Sequence, residues 1–227
     1  MDRVRIREYR AEDYNAVRQL YTAGFVEKLD TLYVHVLTRP WVLCALLASL
    51  PATFWLSGGS VRLSVAVAGL FLLGLRLAVR NLLDRGIRLG LGDDLRDIGA
   101  SYMTPGRVAC LWVAEDGDDP RGQVVGTVGV LPCETQPGAW ELKRISVRLE
   151  FRGRGVAKAL CGTALAFAAR NGVRDLVLYT SMLQADAQRL YLRLGFTKRE
   201  EFLWPSIPAW LVGFTVYKYG YGVHAAP

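Results

Sequence analysis

Histidine is scarce in this chain of 227 residues, which contains only His35 and His224. A Ser-His-Asp or Cys-His catalytic arrangement needs a histidine beside its nucleophile. These two histidines stand just before a long apolar stretch and in the carboxyl-terminal tail, so they argue against that chemistry. They also supply too few nitrogen ligands for a zinc site, and we expect no metal.

Cysteine pairs are missing as well. The four cysteines are widely spaced, and no Cys-x-x-Cys occurs: Cys44, Cys110, Cys133 and Cys161. A disulfide scaffold or a zinc ribbon requires closer or more numerous cysteines. The pattern indicates reduced, mostly buried thiols in a protein that faces the cytosol.

The net charge is +7, yet the sequence lacks a block of basic residues interleaved with aromatic side chains. Such blocks are typical of nucleic-acid binding, which is therefore not expected. Several arginines instead adjoin a long apolar region, where anionic lipid headgroups would attract them. We expect a membrane surface to be one partner.

Hydrophobic residues make up 52% of the chain and concentrate in two runs. Trp41 to Ser57 has no charged side chain, and Val61 to Val79 has only Arg62 and Arg76. As a helix the first run reaches about 26 Å at 1.5 Å per residue, near the lower limit for crossing a hydrocarbon core of about 30 Å. The runs predict a membrane hairpin that turns at residues 57–60. Pro51 leaves open a segment that dips in and returns, and two buried helices of a soluble fold are the alternative.

The charges that flank this hairpin predict its orientation. Arginines precede and follow it: Arg39, Arg76, Arg80, Arg85 and Arg88. By the positive-inside tendency, both ends lie on the cytosolic side. The charged amino terminus has no apolar core typical of a signal peptide, so we expect the hairpin itself to direct insertion.

The remaining pattern predicts an α/β fold with a mixed, mostly antiparallel sheet flanked by helices. Strands are expected over Val4 to Tyr9, Val108 to Ala114, Val124 to Leu131, Trp140 to Val147 and Leu176 to Tyr179. Helices are expected from Ala11 toward Leu29, over Asp94 to Tyr102, from the glycine-rich turn to Asn171, and over Asp186 to Leu194.

A glycine-rich turn, Phe151-Arg-Gly-Arg-Gly-Val-Ala157, joins the strand at Trp140 to the helix after it. Glycines let backbone N–H groups approach a ligand closely, and a helix amino terminus favours negative charge. The turn therefore predicts a phosphate site. It lacks the Gly-Lys-Ser/Thr of a P-loop, and Lys158 stands where a dinucleotide fingerprint has its third glycine. An ordinary turn before a helix is the alternative.

A second segment, Ala187-Gln-Arg-Leu-Tyr-Leu-Arg-Leu-Gly-Phe196, follows about thirty residues later. On a helix Ala187, Tyr191 and Leu194 share one face, which alone is compatible with a core tyrosine. The glycine-rich turn resembles the pyrophosphate-binding turn of the GNAT acetyltransferases, and this segment is similar to their Ala-x-x-x-Tyr-x-x-x-Gly-Phe. With a strand between them, the two motifs together indicate a GNAT acyltransferase fold.

The resemblance is closer to one branch of that class. The order of an amino-terminal strand and helix, a hydrophobic hairpin, and then Cys110-Leu-Trp-Val-Ala114, Glu141-Leu-Lys-Arg-Ile-Ser-Val147 and Gly155-Val-Ala-Lys-Ala-Leu160 resembles the camello-like family. That family includes membrane-bound cysteine-S-conjugate and aspartate N-acetyltransferases. The resemblance implies a GNAT domain formed by residues 1–39 and 81–227, interrupted by a hairpin at 40–80. It also implies acetyl-CoA as co-substrate.

The resemblance also implies roles for individual residues. Glu141 is the candidate base that removes a proton from the amine, although a solvated glutamate near Lys143 is the alternative. The backbone N–H of Val147 would bind the developing oxyanion. Tyr191 would return a proton to the departing thiolate.

Cofactor contacts are implied by position. Val147 and Arg148 would border the pantetheine arm, and Gln184 stands where many GNAT enzymes have an asparagine. The pyrophosphate would be surrounded by amides and positive charge from Arg152, Gly153, Arg154, Gly155, Val156, Ala157 and Lys158.

The implied function is a membrane-bound N-acetyltransferase of the endoplasmic reticulum or Golgi whose catalytic domain faces the cytosol. Its acceptor would be the α-amino group of a small amino acid or cysteine S-conjugate, whose carboxylate Lys143 or Arg144 would attract. Two alternatives stay open. One is a protein lysine N-acetyltransferase of the secretory pathway, and the other is a catalytically weak membrane protein that binds coenzyme A.

Overall fold

A mixed sheet of seven strands forms the centre of the computed structural model, which describes residues 4–119 and 122–223. The strands are β1 (Val4–Glu8), β2 (Cys110–Asp116), β3 (Val124–Pro132), β4 (Trp140–Val147), β5 (Asp175–Ser181), β6 (Thr197–Leu203) and β7 (Thr215–Gly222). Their order is β1-β2-β3-β4-β5-β7-β6. Only β4 and β5 pair in parallel, which confirms the predicted mixed, mostly antiparallel sheet.

Eight helices accompany the sheet in the part of the chain that the structure describes. They are α1 (Tyr14–Val26), α2 (Leu29–Leu37), α3 (Pro40–Leu56), α4 (Val61–Gly92), α5 (Ile98–Tyr102), α6 (Val156–Arg170), α7 (Ala185–Arg193) and α8 (Ile207–Val212).

The two faces of the sheet are buried by different helices. On one face, Trp112, Val130, Leu142 and Leu178 pack with Leu160 of α6, and Tyr191 of α7 belongs to the same cluster. The opposite face buries a second cluster made by α1, α5 and the intervening strands: Val17, Leu20, Ile98, Tyr102, Leu111, Val113 and Leu131. Alternation along each strand separates the two sets, because successive side chains point to opposite faces.

The predicted helical hairpin is present as α3 and α4. The turn lies between Leu56 and Val61, and the side chain of Ser60 caps α4 by accepting a hydrogen bond from the Leu63 N–H. Pro51 lies inside α3, which runs on through it to Leu56. By length and composition α4 could cross a membrane, and little of its most apolar window is buried in the protein.

The second half of α4 belongs to the globular part of the protein. Its buried residues include Val79, Leu83 and Ile87, and the first two pack in one cluster with residues of α2. The helix therefore continues beyond residue 80 and ends only at Gly92. The helix expected from Ala11 toward Leu29 is instead divided, since α1 ends at Val26 and α2 begins at Leu29.

Asp94, two residues after the end of α4, anchors a buried ionic cluster. Its carboxylate accepts hydrogen bonds from the Arg144 guanidinium, including one from Nε at 2.9 Å, and from the Tyr102 hydroxyl. Burial alone would raise the pKa of Asp94, but the positive charges of Arg144 and Lys143 lower it. The helix expected from Asp94 begins only at Ile98, where the Asp97 side chain caps it.

Replacing Asp94 with alanine should lower the free energy of unfolding by about 3–5 kcal/mol, because the buried Arg144 charge would lose its partner. Asp93→Ala is the matched control. The side chain of Asp93 is 50% exposed, so its loss should cost less than about 1 kcal/mol. Chemical unfolding in detergent micelles measures both values, and equal losses would contradict the assignment.

Candidate active site

A wedge-shaped gap opens between β4 and β5. The two strands pair only at Trp140 with Leu176 and at Glu141 with Val177. Beyond this point β5 continues to pair with β7 as far as Ser181, whereas β4 follows β3. The carboxyl ends of the two parallel strands therefore separate, and the gap between them is available to a ligand.

A β-bulge shapes the β4 side of this gap. Thr127 pairs with Ser146 and Gly129 with Lys143, so Arg144 and Ile145 together lie opposite a single residue of β3. Arg144 has a φ of 59°, a left-handed conformation that is costly for a residue with a Cβ. Its ion pair with Asp94 and a hydrogen bond from Thr127 Oγ1 to its carbonyl hold it there.

The end of β4 directs backbone groups toward the gap. The Arg148 N–H donates to the Val125 carbonyl at 2.8 Å. Because antiparallel residues alternate in direction, the N–H and carbonyl of the preceding Val147 point away from β3 and toward the gap. The Val147 carbonyl accepts a hydrogen bond from Arg152 Nε at 2.9 Å, which agrees with this direction.

The amino terminus of α6 follows the turn after β4, and no side chain caps it. Gly155, at the cap position, has a φ of 83° and is exposed. The first intrahelical bond runs from the Ala159 N–H to the Gly155 carbonyl, which leaves the N–H groups of Val156, Ala157 and Lys158 without helical partners. Serine side chains cap α4 and α8, whereas α3 and α7, like α6, have no side-chain cap. The opening of α6 thus presents donors suited to an anion.

Space around this turn is open. A Cβ placed on Gly153 or Gly155 would meet no atom within 4 Å, and both residues have positive φ angles. The side chain of Val156 is buried in the core, so Val156 offers only its amide to a ligand. The exposed turn and the free donors fit a diphosphate.

The arginines around the turn divide into two groups. The Arg148 side chain donates to the Val124 carbonyl at 2.9 Å, and Arg152 forms an ion pair with Glu27 at 2.7 Å. Arg154 lies over the Phe151 ring and is exposed, as is Lys158. Among the predicted cations, only Arg152 has a carboxylate partner within the described residues, and only Arg154 and Lys158 form no hydrogen bond or ion pair there. The structure thus places the Arg148 and Arg152 side chains in internal contacts.

Tyr191 is 2% exposed and packs on the α6 side of the sheet. Its ring lies 5.9 Å from the Phe196 ring and 6.1 Å from the Tyr219 ring. Burial raises its pKa, and the nearby Cys161 thiol adds to this, so the phenol keeps its proton. No described residue forms a hydrogen bond with its hydroxyl. Every fully buried side-chain oxygen or nitrogen has a partner in the described structure, so this hydroxyl retains contact with solvent.

Glu141 is half-buried and lies on the other face of the sheet, since its neighbour Leu142 packs toward α6. Burial raises the pKa of Glu141, while the positive charges of Lys143 and Arg144 oppose this shift. A carboxylate with a raised pKa is a stronger proton acceptor, and such values cluster at functional sites. The environment differs from that of a freely solvated glutamate.

The positive charges expected to attract a carboxylate are already paired. Lys143 Nζ lies 3.2 Å from Asp93 and 3.5 Å from Asp94, and Arg144 contacts both aspartates. Sequence reasoning missed the two aspartates and the bulge because nothing in the local sequence marks an arginine for a left-handed conformation. In the sequence, only the pair Asp93-Asp94 after a long apolar segment could have indicated a buried acidic partner for Arg144.

Gln184 lies at the start of α7 and stabilises the connection from β5. Its side-chain oxygen accepts hydrogen bonds from Thr180 Oγ1 at 2.9 Å and from the Ser181 N–H at 3.2 Å. The amide nitrogen therefore remains for a ligand. His224 lies outside the described residues, and within them no group of three or more His, Cys, Asp or Glu side chains is placed to hold a metal ion.

The fold is shared with acetyltransferases. The model of the acetyltransferase (GNAT) family matches residues 89–196. An acetyltransferase of the GNAT family from Staphylococcus aureus has a similar structure, with a TM-score of 0.58 and 13% sequence identity over 97% of this chain and 99% of that one. The GCN5-related N-acetyltransferase of Kribbella flavida gives a TM-score of 0.54 at 17% identity, covering 97% and 98%. The chain thus has the fold of the GNAT acetyltransferases.

Sequence relatives define the family. The chain is 37% identical to N-acetyltransferase 8 of Mus musculus, covering 98% of this chain and 96% of the relative. It is 36% identical to N-acetyltransferase family 8 member 2 of Rattus norvegicus, covering 96% and 94%. The chain belongs to the N-acetyltransferase 8 family, the camello-like branch, which confirms the resemblance drawn from its motifs.

Proposed function

We propose that this enzyme transfers the acetyl group of acetyl-CoA to the α-amino group of a small amino acid or a cysteine S-conjugate. The observation that carries the proposal is the uncapped amino terminus of α6, which opens beside the gap between β4 and β5. The acceptor class follows from the camello-like resemblance.

The chain offers donors for the diphosphate and for the pantetheine arm of the expected co-substrate. The N–H groups of Val156, Ala157 and Lys158, together with the exposed Arg154 and Lys158 side chains, would bind the diphosphate. The Val147 N–H and the Gln184 amide nitrogen would border the pantetheine arm. Once bound, acetyl-CoA supplies an activated acyl group as a thioester.

Glu141 would act as the general base. Ammonium has no lone pair, so a proton must leave the nitrogen before it can attack the thioester carbonyl. Glu141 would accept that proton directly or through a water molecule. Burial raises the pKa of Glu141, which makes its carboxylate a stronger base and brings its pKa closer to that of the ammonium group.

Val147 and Tyr191 would serve the later part of the reaction. The Val147 N–H, directed toward the gap, would donate to the thioester oxygen as negative charge develops on it. As the carbon–sulfur bond breaks, the Tyr191 hydroxyl would give its proton to the sulfur. Tyr191 and Glu141 lie on opposite faces of the sheet, so they would reach the gap from its two sides.

The α3–α4 hairpin would fix the enzyme in the membrane of the endoplasmic reticulum or Golgi. Leu63, Leu70, Leu73 and Leu77 of α4 are exposed. Phe71 and Leu75 are partly buried against the domain, and full burial there begins at Val79. Arg76 pairs with Asp30 of α2 at 2.8 Å and marks the change. With arginines on both flanks, the catalytic domain would face the cytosol.

An acceptor panel tests the function. The purified protein in detergent or nanodiscs should transfer label from acetyl-CoA to amino acids or cysteine S-conjugates and not to lysine peptides. Preference for the peptides would favour the protein lysine acetyltransferase. Absence of transfer to every amine, despite saturable acetyl-CoA binding, would indicate a coenzyme A-binding membrane protein.

The role of Glu141 predicts a pH dependence. Because the base works only when deprotonated, kcat should fall as the pH drops through the raised pKa of Glu141, above the ordinary value of about 4.3. Glu141→Gln should lower kcat by about 10²–10⁴ and flatten this acid limb. Glu134→Gln, at an exposed turn after β3, is the control and should keep it. An acid limb that survives in Glu141→Gln would contradict the assignment.

The role of Tyr191 predicts a separation of turnover from binding. Tyr191→Phe should lower kcat by about 10²-fold or more while the Kd for acetyl-CoA stays within about twofold, because the lost interaction acts only in the transition state. Tyr219→Phe removes a neighbouring hydroxyl from the same cluster and should leave kcat unchanged. Full turnover by Tyr191→Phe would exclude the residue from the mechanism.

A further inference from the structure

An exposed apolar surface lies on the connection between β6 and β7. The stretch from Phe202 to Tyr217 contains no charged residue. Within it, α8 buries Ala209 and Val212 and leaves Ile207 and Trp210 exposed by 77% and 65%. We define the α8 surface by its exposed members: Leu203, Trp204, Ile207, Trp210 and Leu211.

The α8 surface is attached to the base of the hairpin. Arg39, the residue before α3, donates from Nε to the Val212 carbonyl at 2.8 Å and from Nη2 to the Gly213 carbonyl at 3.1 Å. His35 Nε2 lies 3.0 Å from the same Val212 carbonyl. Trp41 of α3 donates from its indole nitrogen to the Leu211 carbonyl at 3.0 Å.

Packing makes this attachment firm. Val212 belongs to the cluster formed by Val36 of α2, Val42 of α3 and Val79 of α4. Gly213 has a φ of 62°, and a Cβ there would collide with the Arg39 guanidinium. The backbone at the end of α8 is therefore shaped to receive Arg39, which fixes α8 beside the point where the hairpin begins.

We infer that the α8 surface lies in the interfacial layer of the same membrane that holds the hairpin, as a second lipid contact beside the two helices. The inference rests on the proposed membrane attachment. Trp41, Trp204 and Trp210 place indole rings near the hairpin base, and tryptophan is enriched where membrane meets water. The exposed apolar residues of α3, such as Leu43 and Leu47, begin directly beside Trp41, so the apolar surface continues from α8 onto the hairpin.

Lipid accounts for the composition of this surface better than water does. Large exposed apolar patches mark contacts with proteins or membranes. This one has no charged side chain within residues 202–217 and is bonded to helices whose outer faces are themselves apolar. Its contact with the bilayer would hold the β6–β7 connection at a fixed height above the lipid. Met182, the residue after β5, would be held with it, because the Thr215 N–H donates to Met182 Sδ and Met182 packs against the cluster that contains Val212.

Spin labels on the full chain in liposomes test this contact. Cys44 is exposed and is first replaced by serine, so that it takes up no label. Cys110, Cys133 and Cys161 are buried and stay in place. Single labels are then placed by Ile207→Cys on the α8 surface, by Leu70→Cys in the middle of α4, and by Glu134→Cys as the control. Glu134 is exposed and follows β3, so it lies near the amino end of β4, at the end of the sheet away from the carboxyl ends of β4 and β5. Collisions with oxygen, which partitions into lipid, are compared with collisions with a water-soluble nickel complex.

We expect the labels at positions 207 and 70 to collide more with oxygen and less with nickel than the label at 134. If the 207 label meets nickel as often as the 134 label while the 70 label stays in lipid, the α8 surface faces water and the inference is wrong, although the hairpin attachment stands. An immobile 207 label shielded from both reagents would show a protein contact, such as a second copy, and would also overturn it. A label at position 70 that lies in water would overturn the membrane attachment itself. The proposed transferase activity is measured in a separate assay and does not depend on this outcome.

Discussion

The buried contact between Asp94 and Arg144 holds β4 in the shape that the candidate site needs. Arg144 adopts a left-handed backbone conformation that its side chain disfavours. A buried carboxylate that bonds Arg144 and Tyr102 together opposes this cost. The resulting bulge lies in the part of β4 that no longer pairs with β5, beside the gap between the two strands.

Burial acts on the two proposed catalytic side chains in the same direction and with opposite chemical results. It raises the pKa of Glu141 and of Tyr191, because the low-dielectric interior disfavours the charged form of each. For a carboxylate the shift strengthens its ability to take a proton. For a phenol the shift ensures that a proton is present to be given. A single physical effect on the two faces of one sheet thus suits Glu141 to the proposed role of base and Tyr191 to the proposed role of acid.

Local patterns in the sequence predicted the features that depend on neighbouring residues. The glycine-rich turn, β4 with its exact bounds, the helix that carries Tyr191 and the hairpin turn near Ser57 were all predictable, because each is encoded within a few consecutive residues. The break between α1 and α2, the bulge at Arg144 and the internal partners of Arg148 and Arg152 were not. Each of these depends on a contact distant in sequence, such as that between Arg152 and Glu27.

The helix α4 runs without interruption from Val61 to Gly92 and ends two residues before Asp94. A continuous helix transmits rotation as well as length, since each added residue turns it by about 100° and extends it by 1.5 Å. One residue inserted just before Val79 would therefore turn the exposed apolar half of α4 by about 100° relative to the half that packs on the domain. The number of residues in this helix thus sets the direction in which its apolar face points relative to the catalytic domain.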